Sequence, residues 1–230
     1  MSRLGLVAIL LISLFLSPGK ALATAAVWQI DSNYSYIKFT IANVGFMTCH
    51  GALNQVYGRI DYTPNDLSTI KVKAEMDADT VQTGVIKRDN HLKKKEFFNL
   101  AAFPIWSFTS TSIEPISKAH FKMKGLLKIK GIEKEVTLDC QGPSTMRQTQ
   151  KGDKAAFTAT GETKIDRRAF GISGMAGMIG DVAKVTVRIR AVETTPADAD
   201  EEFVRRAKLR AKAASDHQKD VEARAAAKRK

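Results

Sequence analysis

From Tyr36 to Ala42, apolar Ile37, Phe39 and Ile41 alternate with Lys38 and Thr40, the period of two that marks a strand with one buried face. The pattern recurs along the chain. Between Thr69 and Asp77, Ile70, Val72, Ala74 and Met76 oppose Lys71, Lys73, Glu75 and Asp77. Between Ile105 and Ile113, Trp106 and Phe108 share one face while Ser107 and Thr109 share the other. Phe121, Met123, Leu127 and Ile129 alternate with Lys122, Lys124, Lys128 and Lys130. Gly131 then turns the chain into Val136, Leu138 and Cys140, opposed by Glu135, Thr137 and Asp139, which predicts a hairpin. Two further strands run from Phe157 to Ile165 and from Val185 to Ala191. A weaker one spans Gly51 to Tyr62, with Val56 and Ile60 separated by Gly58, and ends at the turn cluster Pro64-Asn65-Asp66. Before the tail, the one helical pattern lies within Ile86 to Leu100, on an imperfect stripe through Leu92 and Phe97.

Eight short alternating strands with helix confined to one place predict an antiparallel sandwich or closed barrel, not a parallel α/β sheet. Eight strands favour closure, and a barrel of that size either fills with side chains or holds one small apolar ligand. The fold class is therefore all-β: an eight-stranded antiparallel lipocalin-like barrel with one short helix. An outer-membrane barrel would turn the polar faces inward. Those faces carry Lys71, Lys73, Lys122, Lys124, Lys128, Lys130, Lys184, Arg188 and Arg190, and so many like charges in a narrow lumen would repel strongly.

The chain opens with Arg3 and a 13-residue apolar run, Leu4 to Leu16, too short to span a membrane. Ser17-Pro18-Gly19 breaks it, and Ala21-Leu22-Ala23 supplies the small residues a signal peptidase reads. Residues 1–23 are thus expected to be a signal peptide, 24–196 the barrel and 197–230 a charged, Ala-rich, helix-prone tail, in a periplasmic or secreted protein. The formal +12 is not concentrated in any segment, which argues against nucleic acid. For the tail the default is a solvated helix or disorder; its end Lys228-Arg229-Lys230 leaves a peripheral contact with anionic membrane open. A homodimer is open as well. His50, His91, His120 and His217 are scattered, so no metal spacing exists. Export leaves a single Cys49–Cys140 disulfide open, because sequence does not fix the distance between the two.

Several short motifs follow one another in a familiar order. Trp28-Gln29-Ile30-Asp31, Arg88-Asp89-Asn90-His91-Leu92, Glu96-Phe97-Phe98-Asn99 and Phe103-Pro104 are followed by Gly125-Leu126 and Gly131-Ile132-Glu133-Lys134-Glu135-Val136, then by Ile165-Asp166-Arg167 and Phe170-Gly171-Ile172. In this succession, over about residues 27 to 193, the chain resembles the YceI-like family. The resemblance implies a periplasmic or secreted lipocalin-like barrel that binds a polyisoprenoid or isoprenoid quinone in an elongated apolar pore, with no catalytic cofactor and no established enzyme activity. Where the family usually has His-Ser, this chain has Tyr34-Ser35, and a second family histidine is Asn43.

The candidate ligand-binding residues follow. Phe97, Phe98, Phe103 and Phe108 either seal one end of the barrel or line the pore, joined by Phe39, Ile41, Phe46 and Phe170. Phe170 to Ile179, rich in Gly, is read either as a mobile flap whose Met175 and Met178 thioethers meet the ligand or as plain loop packing. Arg88, Asp89 and His91 are assigned to fixing the helix across the barrel mouth or to a ligand head group. His91 beside Asp89 is also the best acid/base pair for a hydrolase or isomerase, but no recognised nucleophile motif accompanies it and no catalytic residue is assigned. The runner-up function is a structural or inhibitory envelope protein with a self-filled barrel.

Overall fold

The computed structural model describes residues 26–43, 47–144, 146–147 and 154–209. The expected signal peptide and the tail beyond residue 209 lie outside the described residues, as does Phe46. Ten strands follow one another along the chain, β1 (Ala26–Ile30), β2 (Tyr36–Ala42), β3 (Thr48–Leu53), β4 (Val56–Thr63), β5 (Asp66–Asp77), β6 (Ile105–Ser117), β7 (His120–Ile129), β8 (Ile132–Gln141), β9 (Ala156–Asp166) and β10 (Val182–Thr194), and they are hydrogen-bonded in the order β1-β4-β5-β6-β7-β8-β9-β10-β2-β3. All pairings are antiparallel, and β1 on β10 closes the ring.

The ten strands make eight staves. One edge of β10 holds β2 along residues 183–188 and β1 along 191–194, and β3 and β4 continue the same arrangement on β2 and β1. Each pair, β1 with β2 and β3 with β4, is one stave broken in its middle, so the eight-stranded closed barrel expected from the sequence is the one found. The strand expected over Gly51 to Tyr62 is corrected to β3 plus β4, with Asn54-Gln55 between them. There Gln55 O accepts from Asp77 N–H and Asn54 N–H donates to Thr80 Oγ1, so the chain leaves the ladder to bond the end of β5. Strand β1 shows no clean alternation because adjacent Val27 and Trp28 are both buried.

Local chemistry sets the turns. Lys130 and Gly131 take φ of 52° and 80° in the two-residue link between β7 and β8, where positive φ at both centres matches the strand twist. One end of the barrel is filled by Trp28, Tyr62 and Phe157, whose rings meet edge to face at 4.9 and 5.9 Å. The other end is crossed by α1 (Ile86–Leu92) and by the segment linking β9 to β10.

A second helix, α2 (196–209), lies against the outside of the wall. Thr195 caps it, its Oγ1 accepting from Asp198 N–H at 3.1 Å, and Pro196 occupies the first turn, where a missing N–H costs nothing. Ala199 is buried, Asp200 pairs with Arg59 at 3.0 Å, and Arg206 lies over the Tyr57 ring. Over these residues the helix-prone tail is a helix, exposed along most of its length and touching β4 through Asp200 and Arg206.

Candidate functional site

Inside the barrel lies a cavity of about 560 Å³. Its wall is the apolar parity of the strands: Ile37 and Phe39 from β2, Val72 from β5, Leu127 from β7, Val185 and Ile189 from β10. Of the sequence candidates, Phe39, Ile41, Phe97, Phe98, Phe108, Arg88, His91 and Met175 line it. Phe103, Phe170, Asp89 and Met178 do not. Phe103 packs on the β7–β8 turn, where a Cβ on Gly131 would lie 2.7 Å from its ring. Phe170 is sealed in the core beneath the segment that follows it, and Met178 stands half-exposed on the surface.

Two phenylalanines are held flat to the wall by facing glycines. Phe39 pairs with Gly51 across β2 and β3, and a Cβ on Gly51 would fall 2.2 Å from the ring. Phe108 covers Gly125 in the same way, at 2.4 Å. Each missing side chain gives the ring a place in the wall and leaves the lumen clear. Trp106, also in the lining, meets Phe98 edge to face at 4.8 Å.

Polar lining residues gather at the α1 end: Asn43, Lys87, Arg88, His91 and Arg167. Thr83 organises this rim. Arg88 donates to its Oγ1 (2.7 Å) and carbonyl (2.8 Å), while Asp89 accepts from its N–H (2.9 Å) and hydroxyl (2.5 Å). Asp89 therefore secures the start of the helix and does not bond His91. His91 instead meets Glu96 at 3.2 Å and stands edge-on to Phe97 at 4.9 Å. The Glu96 carboxyl is held below its ordinary range, first by its own backbone N–H and then by His91.

The Gly-rich segment after β9 is fixed at its base. Arg167 is buried, and its guanidinium donates to the carbonyls of Ile172 (2.8 Å), Gly174 (2.9 Å), Gly180 (2.9 Å) and Ile179 (3.4 Å), and pairs with Asp181 at 3.2 Å. Ser173 and Gly174 N–H groups donate to Glu96 O, joining the segment to the turn after α1. Arg167 closes the Ile165-Asp166-Arg167 motif, but nothing in the sequence marks it as the anchor of this segment.

Cys49 and Cys140 are free and buried, so the disulfide left open by the sequence is not formed. Strands β9, β10 and β2 lie between β8 and β3 in the wall, which places the two thiols on different sides of the lumen. Burial pushes the Cys140 thiol up to about 12, with Asp139 adding to the shift. Among the described residues, no group of three or more His, Cys, Asp or Glu side chains could hold a metal ion.

The YceI-like domain model matches residues 28–191, which is the barrel. A UPF0312 protein of Yersinia enterocolitica is 30% identical over 145 residues, 62% of this chain and 75% of its own. A Salmonella arizonae protein named YceI is 26% identical over 183 residues, 80% and 94% of the two chains. Among solved structures, the Campylobacter jejuni YceI protein superposes with a TM-score of 0.60 at 25% identity, over 66% of this chain and 89% of that one. A polyisoprenoid-binding domain from Saccharophagus degradans shares the fold with a TM-score of 0.55 at 12% identity, covering 74% and 99%. Barrel closure, the order of the motifs and the reach of the family model coincide over the same residues, and the chain belongs to the YceI-like family.

Proposed function

We propose that this chain is an exported lipid-binding protein that holds a long-chain polyisoprenoid or isoprenoid quinone within the barrel, for transport, storage or protection. In this reading residues 1–23 are removed as a signal peptide, 24–196 form the barrel, and 197–230 are an appended tail, in a periplasmic or secreted product. The observation that carries it is the cavity of about 560 Å³ walled by aliphatic and aromatic side chains, a size and chemistry suited to a hydrocarbon ligand. A self-filled barrel would leave no such space. Isoprene units buried there gain about 25 cal/mol per Å² of apolar surface, so affinity needs no charged contact. A solved domain of the same fold is itself described as polyisoprenoid-binding, which supports the same ligand class. Binding rather than catalysis suits the site, where His91 is paired with Glu96 on the rim.

Native mass spectrometry of the mature protein purified from its own envelope, followed by organic extraction, tests this reading. A stoichiometric prenyl lipid or quinone is expected. An empty protein that also ignores added isoprenoids would overturn it in favour of a structural barrel.

A further inference from the structure

The β8–β9 seam is the weak point of the wall. It carries three pairs, Asp139–Glu162, Cys140–Gly161 and Gln141–Thr160, although β8 begins at Ile132 and β9 runs on to Asp166. Its neighbours are complete: β7–β8 has ten pairs and β9–β10 eleven. Continuing the register would join Leu138 to Thr163, Thr137 to Lys164 and Val136 to Ile165, and none of these pairs forms. Beside the gap Leu138, Val136 and Thr163 are half-buried, while Cys140, Gly161 and Ile165 are buried.

Val136 and Thr163 line both the inner cavity and a separate cleft on the outer surface. That cleft is rimmed by Lys122, Glu135, Thr137, Asp139, Glu162, Lys164 and Lys184. The gap is bounded at both ends. Below it stands the Asp139–Glu162 pair. Above it the β7–β8 turn leans on the segment held by Arg167, with Lys130 Nζ donating to Gly171 O at 2.6 Å. The seam between β5 and β6 also shortens, but there Ser110 Oγ accepts from Val72 N–H at 2.8 Å and inward Ile70 stays buried.

We propose that the β8–β9 gap is a lateral doorway through which the prenyl chain of the ligand passes between the cavity and the outer cleft. The inference rests on the lipid-binding reading above and adds the route. Unpaired strand edges can part without breaking a ladder, and apolar Val136 beside the Thr163 methyl offers a hydrocarbon chain a surface through the wall. The balanced charges around the cleft keep the outer face wet when the door is idle.

The test staples the door from outside. Thr137→Cys and Lys164→Cys, both on the outer cleft, are introduced with Cys49→Ala and Cys140→Ala, and the folded protein is linked with a disulfide-containing bis-maleimide. Uptake and release of dansyl-labelled farnesol are followed by fluorescence before linking, after linking and after reduction. We expect uptake and release both to slow at least tenfold, with Kd unchanged within twofold and full recovery on reduction, since a barrier on one path scales both rates equally. As a second arm, a bulky polyethylene glycol maleimide on Lys164→Cys alone is expected to slow exchange in the same direction. Exchange at the unlinked rate in both arms would overturn the doorway while leaving the binding reading intact. So would a shift in Kd with release unaltered. An unlinked protein that takes up no probe overturns the binding reading itself, and the doorway with it.

Discussion

Single residues decide how much room the barrel holds. Phe39 and Phe108 are large enough to close the lumen, and they leave it open because their rings lie over Gly51 and Gly125. A methyl at position 51 meets that ring first, so Phe39 must swing off the wall, and the free space beside it is the cavity. Gly51→Ala is therefore expected to fold, with a cost of about 1–3 kcal/mol from overpacking, and to bind dansyl-farnesol several-fold more weakly. Thermal melting alongside fluorescence titration checks this, and unchanged affinity would refute the ring argument. Cys140 makes a second residue-scale prediction. Its thiol is raised from an ordinary 9.0 to about 12, chiefly by burial, so the native protein should resist iodoacetamide there at pH 8 and be modified at once in denaturant. The sign for stability follows. Between pH 9.0 and about 12 the native state keeps a proton that the unfolded chain releases, so this contribution is present below pH 9.0 and is lost as pH rises through the window. Peptide mapping of the alkylated site distinguishes Cys140 from Cys49.

Elements are joined here by polar residues whose importance is invisible to pattern. The break between β1 and β2 is pinned from β10. Buried Ser35 accepts from Arg190 N–H at 3.0 Å and donates to Arg190 O at 3.3 Å, while the Arg190 guanidinium pairs with Asp31. Ser35→Ala strands a backbone N–H on a continuous ladder, and a loss of about 1–3 kcal/mol is expected in urea unfolding. Arg167 joins the β9–β10 segment to the barrel through five acceptor groups, and a lysine cannot reach them together. In Arg167→Lys, amide hydrogen exchange over residues 170–181 should speed at least tenfold while β5 and β7 stay protected; unchanged protection would show that the segment holds itself. Strands facing water on one side were legible, because Lys71, Lys124 and Arg188 interrupt the apolar run at every second position. Strand β1 was not, since Val27 and Trp28 are both buried, and neither was the split of β3 from β4, which depends on bonds to Gln55 and Thr80 from and to distant residues. The site was half legible. Parity pointed to Phe39, Ile41 and Phe108, but Phe103, Phe170 and Asp89 belong to supporting packing, Met178 stands at the surface, and Arg167 was legible as part of a motif but not as the anchor of its segment.

At the scale of the whole molecule, a barrel that closes through short staves needs support from outside. Strand β1 has only four pairs with β10 and four with β4, and it carries the closure. Helix α2 begins directly after β10 and braces that corner, burying Ala199, setting Asp200 on Arg59 and laying Arg206 over Tyr57. The Arg59–Asp200 pair is largely exposed on the aspartate side and contributes about 0–1 kcal/mol. The cation–π contact adds about 0.5–1 kcal/mol, and the buried Ala199 methyl about 0.8 kcal/mol. Together these predict a stabilisation of about 2 kcal/mol, or roughly 4–8 °C in Tm for a barrel of this size. None of the cavity-lining residues belongs to α2, so a chain ending at Thr195 should melt several degrees lower yet bind dansyl-farnesol with unchanged Kd. High salt should narrow the difference in Tm only slightly, because the apolar contact persists when the ion pair is screened. Loss of binding on truncation would instead make α2 part of the site, and an identical Tm would mean that β1 holds the ring closed without it.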